Sequence, residues 1–128
     1  MTEAKVWKVF SQFIRMRDAD ENGNCKCFTC GLIRHWTKGD CGHGVPRQHK
    51  ATKYNEQNNH FQCKRCNGFE GGMREAYKEN MDRKYGSGTW DKMMLASRQV
   101  CKRTKNDFEI LYLYYSEQVK RLKESKRL

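Results

Sequence analysis

The chain has 128 residues, 26 Lys and Arg against 15 Asp and Glu, a net charge of +11 and 37% hydrophobic residues. This length holds one domain with an extra helix or two and excludes a large α/β enzyme with a cofactor domain. No apolar run approaches the roughly 18 residues of a membrane span, and so low an apolar fraction calls for a stabiliser beyond the core, such as metal.

Met1–Lys5 leads into a helical pattern rather than a signal peptide, so a reducing cytoplasm is the expected location. Val6, Trp7, Phe10, Phe13 and Ile14 recur at helical spacing and predict an amphipathic helix over residues 4–17. Residues 18–24 are a turn-rich exit. Cys27-Phe28-Thr29-Cys30 is followed by Gly31, which permits the tight backbone of a metal knuckle. Leu32–Trp36 predicts a short strand, with His35 and Trp36 as packing residues. Gly39, Gly42, Gly44 and the only proline, Pro46, predict a strand end and loop around Asp40–Lys50. His60-Phe61-Gln62 leads into Cys63-Lys64-Arg65-Cys66.

After Gly71-Gly72 the pattern turns helical. Met73, Tyr77, Met81 and Tyr85 share one face of a helix ending near Gly86. Residues 90–100 predict another, with Cys101 beside it as a small buried hydrophobe. Phe108, Leu111, Tyr112, Tyr115, Val119 and Leu122 form a long stripe. Phe108–Tyr115 is apolar almost all round, which predicts burial on two sides, in the core or at a homodimer contact. The basic tail from Lys120 reads as solvated. No internal repeat is present.

Seven cysteines in a reducing compartment point to metal rather than disulfides. The two C-x2-C pairs, Cys27/Cys30 and Cys63/Cys66, supply four thiolates to one tetrahedral Zn²⁺. Cys25, one residue from Cys27, is an alternative ligand, and the symmetric pairs are preferred. Four cysteines leave no open position, so that zinc is structural.

The stretch from His43 to Asn67 has one acid, Glu56, beside five Lys or Arg and three His. A basic segment framed by zinc knuckles suits a phosphate backbone. Arg47, His49, Lys50, Lys53, Lys64 and Arg65 are the candidate DNA-binding residues. The zinc pins both ends of this segment, which places His43 and Asn67 near each other. A histidine beside oxygen-rich side chains is what metal-assisted phosphodiester hydrolysis needs. The imidazole takes a proton from water, and a hard cation, Mg²⁺ or Mn²⁺, holds the scissile phosphate.

Phe10-Ser11, Ile14–Asp18, Cys27–Gly31, His35-Trp36, Asp40–His43, Asn58–Asn67, Gly71 and Tyr77 occur in one order over residues 6–86. This pattern resembles the HNH, or ββα-metal, nuclease superfamily, and more closely the phage NinG/Rap family of recombination endonucleases. The resemblance implies a small α+β fold, with an N-terminal helix and a zinc-stapled ββα-metal core in residues 1–86 and a C-terminal helical extension in residues 87–128, packed on the core or forming a dimer contact. It implies branched DNA, such as a Holliday junction or D-loop, as substrate. It makes His43 the general base and Asn58 the middle asparagine that orients the base or supports the loop. Asn67 takes the helix-borne metal-ligand position, or caps the helix after Cys66. Gly42 stands where many superfamily members carry an acidic or histidine ligand. Asp40, His60 and His49, in that order, are the candidates to replace it. A non-catalytic zinc module that binds nucleic acid is the alternative function. It accounts for the cysteines and the charge but not for His43, Asn58 and Asn67. No membrane contact and no small-molecule cofactor are expected.

Overall fold

Thr2 begins the first helix: its hydroxyl accepts the Lys5 N–H, satisfying a donor that a helix start leaves open. In the computed structural model, which describes residues 1–68 and 72–128, this helix, α1, runs Glu3–Asp18. Strands β1 (Asn24–Lys26) and β2 (Ile33–His35) pair antiparallel. The second strand is shorter than the predicted Leu32–Trp36. His35 Nδ1 accepts the Thr37 N–H and starts a 3₁₀ turn over Trp36–Lys38.

Strands β3 (Gly39–His43) and β4 (Asn59–Cys63) form a second antiparallel pair, in register from Gly39 opposite Cys63 to His43 opposite Asn59. The connection between them, residues 44–58, carries 3₁₀ turns at Lys50–Thr52 and Glu56–Asn58. Helix α2 (Lys64–Gly68) follows β4 directly, then come α3 (Arg74–Tyr85), α4 (Thr89–Ser97) and α5 (Lys105–Ser125). Among the described residues the molecule is a small α+β fold of five helices and two two-stranded sheets. Gly71 lies outside the described residues.

Successive strand residues point to opposite faces, so the β3–β4 pair has two surfaces. Cys41 turns to α1, whose Val6, Val9, Phe10, Phe13, Ile14 and Met16 form the main core with Tyr115 and Val119 of α5. The opposite face is covered by α3. There Val45, Tyr77 and Met81 join Trp90 and Met93 of α4 in a second core.

Three expectations are corrected. Helix α4 stops at Ser97, Val100 is 89% exposed, and Cys101 lies in the non-helical connection to α5. The all-round apolar segment is buried on one side only. Its inner residues pack on α1, while Ile110, Leu113 and Tyr114 are exposed. The basic tail docks: Lys126 Nζ donates to the carbonyls of Met16, Arg17 and Ala19. Those carbonyls lie at the C-terminal end of α1, where Met16 O also takes the N–H of the C-cap Ala19, and sit at the negative end of its dipole, so an ammonium is favoured there.

Candidate functional site

The four sulfurs of Cys27, Cys30, Cys63 and Cys66 lie within 4.8 Å of one another. Cys30 Sγ and Cys63 Sγ are 3.8 Å apart, the edge of a tetrahedron with Zn–S bonds of about 2.3 Å. Local structure builds this cluster. The Cys27 N–H donates to Leu32 O and the Gly31 N–H to Cys27 O, with Gly31 at φ +80°, a backbone setting that favours glycine. Cys63 ends β4 and Cys66 lies in α2. Burial pushes the Cys27 thiol up. Hydrogen bonds from the Thr29 hydroxyl and from the Cys63, Cys30 and Thr29 N–H groups outweigh it and bring the pKa to about 6. Burial raises Cys66 to about 12. The donor set and spacing fit a structural zinc, which would hold every sulfur as thiolate.

Cys25 and Cys41 stand apart from the cluster. The Cys25 thiol donates to Arg15 O and the Cys41 thiol to Asn59 Oδ1. Burial raises both above the ordinary thiol range, Cys25 to about 12, so both remain neutral thiols.

His43 ends β3 on the α1 face. Its Nε2 lies 3.0 Å from Lys53 O. A carbonyl only accepts, so Nε2 carries the hydrogen and Nδ1 keeps its lone pair. Burial, and then the nearby Arg47 and Lys53 charges, lower the His43 pKa to about 4 against the Lys53 hydrogen bond. The ring is therefore an unprotonated acceptor at neutral pH. Asn59, opposite His43, donates from Nδ2 to the same Lys53 carbonyl.

Asn58 holds the connection that carries this carbonyl. It is fully buried. Its Oδ1 accepts the Val45 N–H at 2.7 Å, and its Nδ2 donates to Val45 O and Thr52 O.

Asp40 lies on the opposite face of β3 from His43. Its carboxylate accepts from Asn67 Nδ2 at 3.2 Å and from Lys64 Nζ at 2.7 Å. Asn67 is inside α2 and does not cap α3, whose N-cap is Met73. The structure thus brings Asp40 and Asn67 together, and His43 together with Lys53. No described contact joins the two sets.

Gly42 has a steric cause. A Cβ there would collide with the Gln62 amide, so an aspartate does not fit beside Gln62. Gln62 is fully buried; its Nε2 donates to Gly72 O and Thr29 Oγ1, and its Oε1 has no hydrogen-bond partner among the described residues.

His60 is engaged at both nitrogens. Tyr77 donates its hydroxyl to Gly42 O, so it accepts from His60 Nδ1–H at 3.0 Å, and the Tyr85 hydroxyl donates to Nε2 at 2.6 Å. With Phe28 stacked on its ring at 3.8 Å, His60 has no lone pair left for a metal. Burial, and then the charges of Arg17 and Lys84, lower its pKa to about 2.

The six basic candidates fall into two groups. Arg47, His49, Lys50 and Lys53 lie in the connection near His43. Lys64 and Arg65 are exposed on α2, on the Asp40 side. Sequence reading missed Trp7, Tyr54 and Arg103. The Arg103 guanidinium sits 4.9 Å over the Tyr54 ring and donates to Lys50 O. The Tyr54 hydroxyl and Lys53 Nζ both donate to the Glu3 carboxylate. A cavity of 840 Å³ lies elsewhere, between the cysteine knuckle and α3 beside Phe28 and Tyr85, and His43 does not line it.

Fold and site together define a small α+β protein with a four-cysteine cluster whose geometry fits zinc. Comparison with protein families adds the rest: the model of the bacteriophage lambda NinG protein matches residues 2–125. The chain belongs to the NinG family. No curated protein and no solved structure matches it. No helix among the described residues is long and apolar enough to cross a membrane.

Proposed function

We propose that this protein is a metal-dependent DNA endonuclease of HNH, or ββα-metal, type, acting on branched DNA such as a Holliday junction or D-loop. The observation that carries this reading is His43. It sits at the end of β3 with Nε2–H committed to Lys53 O, and its Nδ1 is free to accept a proton at neutral pH. The order strand, connection, strand, helix, with Asn67 on the helix, supports the same reading.

In this account His43 Nδ1 takes the proton of the attacking water. Asn58 holds the connection so that Lys53 O stays in place. Arg47, His49, Lys50 and Lys53 hold backbone phosphates on the His43 side, and Lys64 and Arg65 on the α2 side. The Asp40 carboxylate and the Asn67 amide oxygen belong to neighbouring side chains, now joined through Asn67 Nδ2, and are the hard oxygen donor type that Mg²⁺ or Mn²⁺ takes. A cation bound there would neutralise charge on a phosphate held on the Asp40 face of β3, the face away from His43. Lys64 Nζ, the cation now on Asp40, is the group it would displace.

A second reading, a non-catalytic zinc module that binds nucleic acid, draws on one observation: Asp40 and Asn67 meet on the face of β3 away from His43. Cleavage separates the two. Zinc-loaded protein is incubated with four-way junction, D-loop, flap and duplex DNA, with Mg²⁺, with Mn²⁺ and with EDTA. The nuclease reading expects cleavage of branched substrates that stops in EDTA. Binding without cleavage under every condition favours the module.

A further inference from the structure

Trp7 packs half-buried at the edge of the core that the rest of α1 builds and lies on the catalytic candidate. Its indole stacks on the His43 imidazole, with ring centroids 5.0 Å apart and planes 18° from parallel. Arg47 lies 5.3 Å and Lys53 Nζ 5.7 Å from the indole centroid. A hydrogen bond at Nε2 anchors one point of the imidazole but leaves the ring free to swing about that anchor. A flat surface against the ring removes that freedom. Two constraints of different kind, the Lys53 carbonyl and the Trp7 face, together set the direction of Nδ1.

We propose that Trp7 is a positioning residue for His43, holding the imidazole in the plane that presents Nδ1 to the attacking water. This rests on the reading of His43 as general base. A flat aromatic is suited to the position because its electron-rich face also attracts the two cations. Those cations come from the connection between β3 and β4, as does the carbonyl on Nε2. From α1 the charged group nearby is Glu3, already paired with Lys53, and from β4 the neighbour is the uncharged Asn59. The indole also shields the ring from water, which disfavours its protonation.

The test compares Trp7→Leu, Trp7→Phe and His43→Ala in the full zinc-loaded chain. Trp7→Leu is expected to keep its affinity for junction DNA within about twofold while kcat falls about tenfold to about a hundredfold. Trp7→Phe, which keeps a flat ring, is expected to recover most of the rate. The acidic limb of the pH–rate profile is expected to move up, toward the free imidazole value, in Trp7→Leu. In the wild-type protein itself, the His43 ring protons are expected upfield in NMR spectra through the indole ring current. That readout needs no variant to fold. Wild-type kcat and an unmoved limb in Trp7→Leu, or His43 ring protons at ordinary shifts, overturn the proposal while leaving the base in place. Undiminished cleavage by His43→Ala overturns the base reading, and the positioning role with it.

Discussion

His43 and His60 are both neutral in the folded protein, one beside a lone carbonyl and the other between two tyrosine hydroxyls. Their folded pKa values, about 4 and about 2, lie below the unfolded value of about 6.5. Below pH 6.5 the unfolded chain therefore binds more protons than the folded one, and stability falls with pH. The loss continues to about 4 for His43 and about 2 for His60. Urea unfolding at pH 7 and pH 5 is expected to show a lower midpoint in acid, with a smaller drop in His43→Gln, which has no ring to titrate. An equal drop in both proteins contradicts this assignment. Gly42 gives a second expectation at this scale. Gly42→Ala drives a methyl into Gln62 and is expected to cost about 1–3 kcal/mol, as overpacking does. Gln62→Ala in the same chain is expected to recover part of that, measured as a double-mutant cycle. The residue types of the site were legible: the cysteine spacing marked the knuckles, and Gly-His marked the strand end. Their facing was legible only in part. Strand alternation already puts Asp40 and His43, three residues apart, on opposite faces; what the sequence did not show is which of those faces packs on α1 and which carries Asn67. The part of Trp7 was hidden because its place in the α1 stripe reads as core.

Among the elements, helices were more legible than strands because a one-sided stripe reports its own partner. The α1 stripe faces the Tyr115–Val119 side of α5; α1, Glu3–Asp18, matches its predicted span of 4–17 closely, and α5 encloses the Phe108–Leu122 stripe. Strands β1 and β2 have three residues each, too few for alternation to show. Their hairpin depends instead on the knuckle that Cys27 and Cys30 close. Zinc removal is therefore expected to act on the sheets first. Chelation, or Cys63→Ser, is expected to abolish hydrogen-exchange protection in β1–β2 and β4, whereas Cys101→Ser, in an open connection, is expected to be mild. Full protection after the metal is removed contradicts a structural role for the site. The contact of α1 with α5 gives the complementary test. Tyr115 packs on Phe10 and Phe13, and its hydroxyl donates to Glu56. Tyr115→Ala is expected to cost about 3–5 kcal/mol in urea unfolding, as for other large aromatic truncations.

For the whole molecule, the proposed DNA partner fits a net charge of +11, which does not say where on the surface it would bind. The structure brings Arg103, from the connection between α4 and α5, onto Lys50 and Tyr54. A contact between positions so far apart in sequence has no local signal. If this surface carries DNA phosphates, affinity falls steeply with salt, and Arg47→Ala with Arg103→Ala is expected to reduce the slope of log K against log salt by roughly two for duplex arms. An unchanged slope places the DNA elsewhere. The central claim, that His43 is the base of a metal-dependent nuclease, is tested most directly by single-turnover cleavage of a four-way junction by the wild-type protein and by His43→Ala, at several Mg²⁺ and Mn²⁺ concentrations. Zinc content, fold and junction affinity are expected to be unchanged in the variant. Its cleavage rate is expected to fall by about 10²–10⁴-fold at every metal concentration. Wild-type cleavage by His43→Ala, with zinc and affinity intact, would contradict the claim.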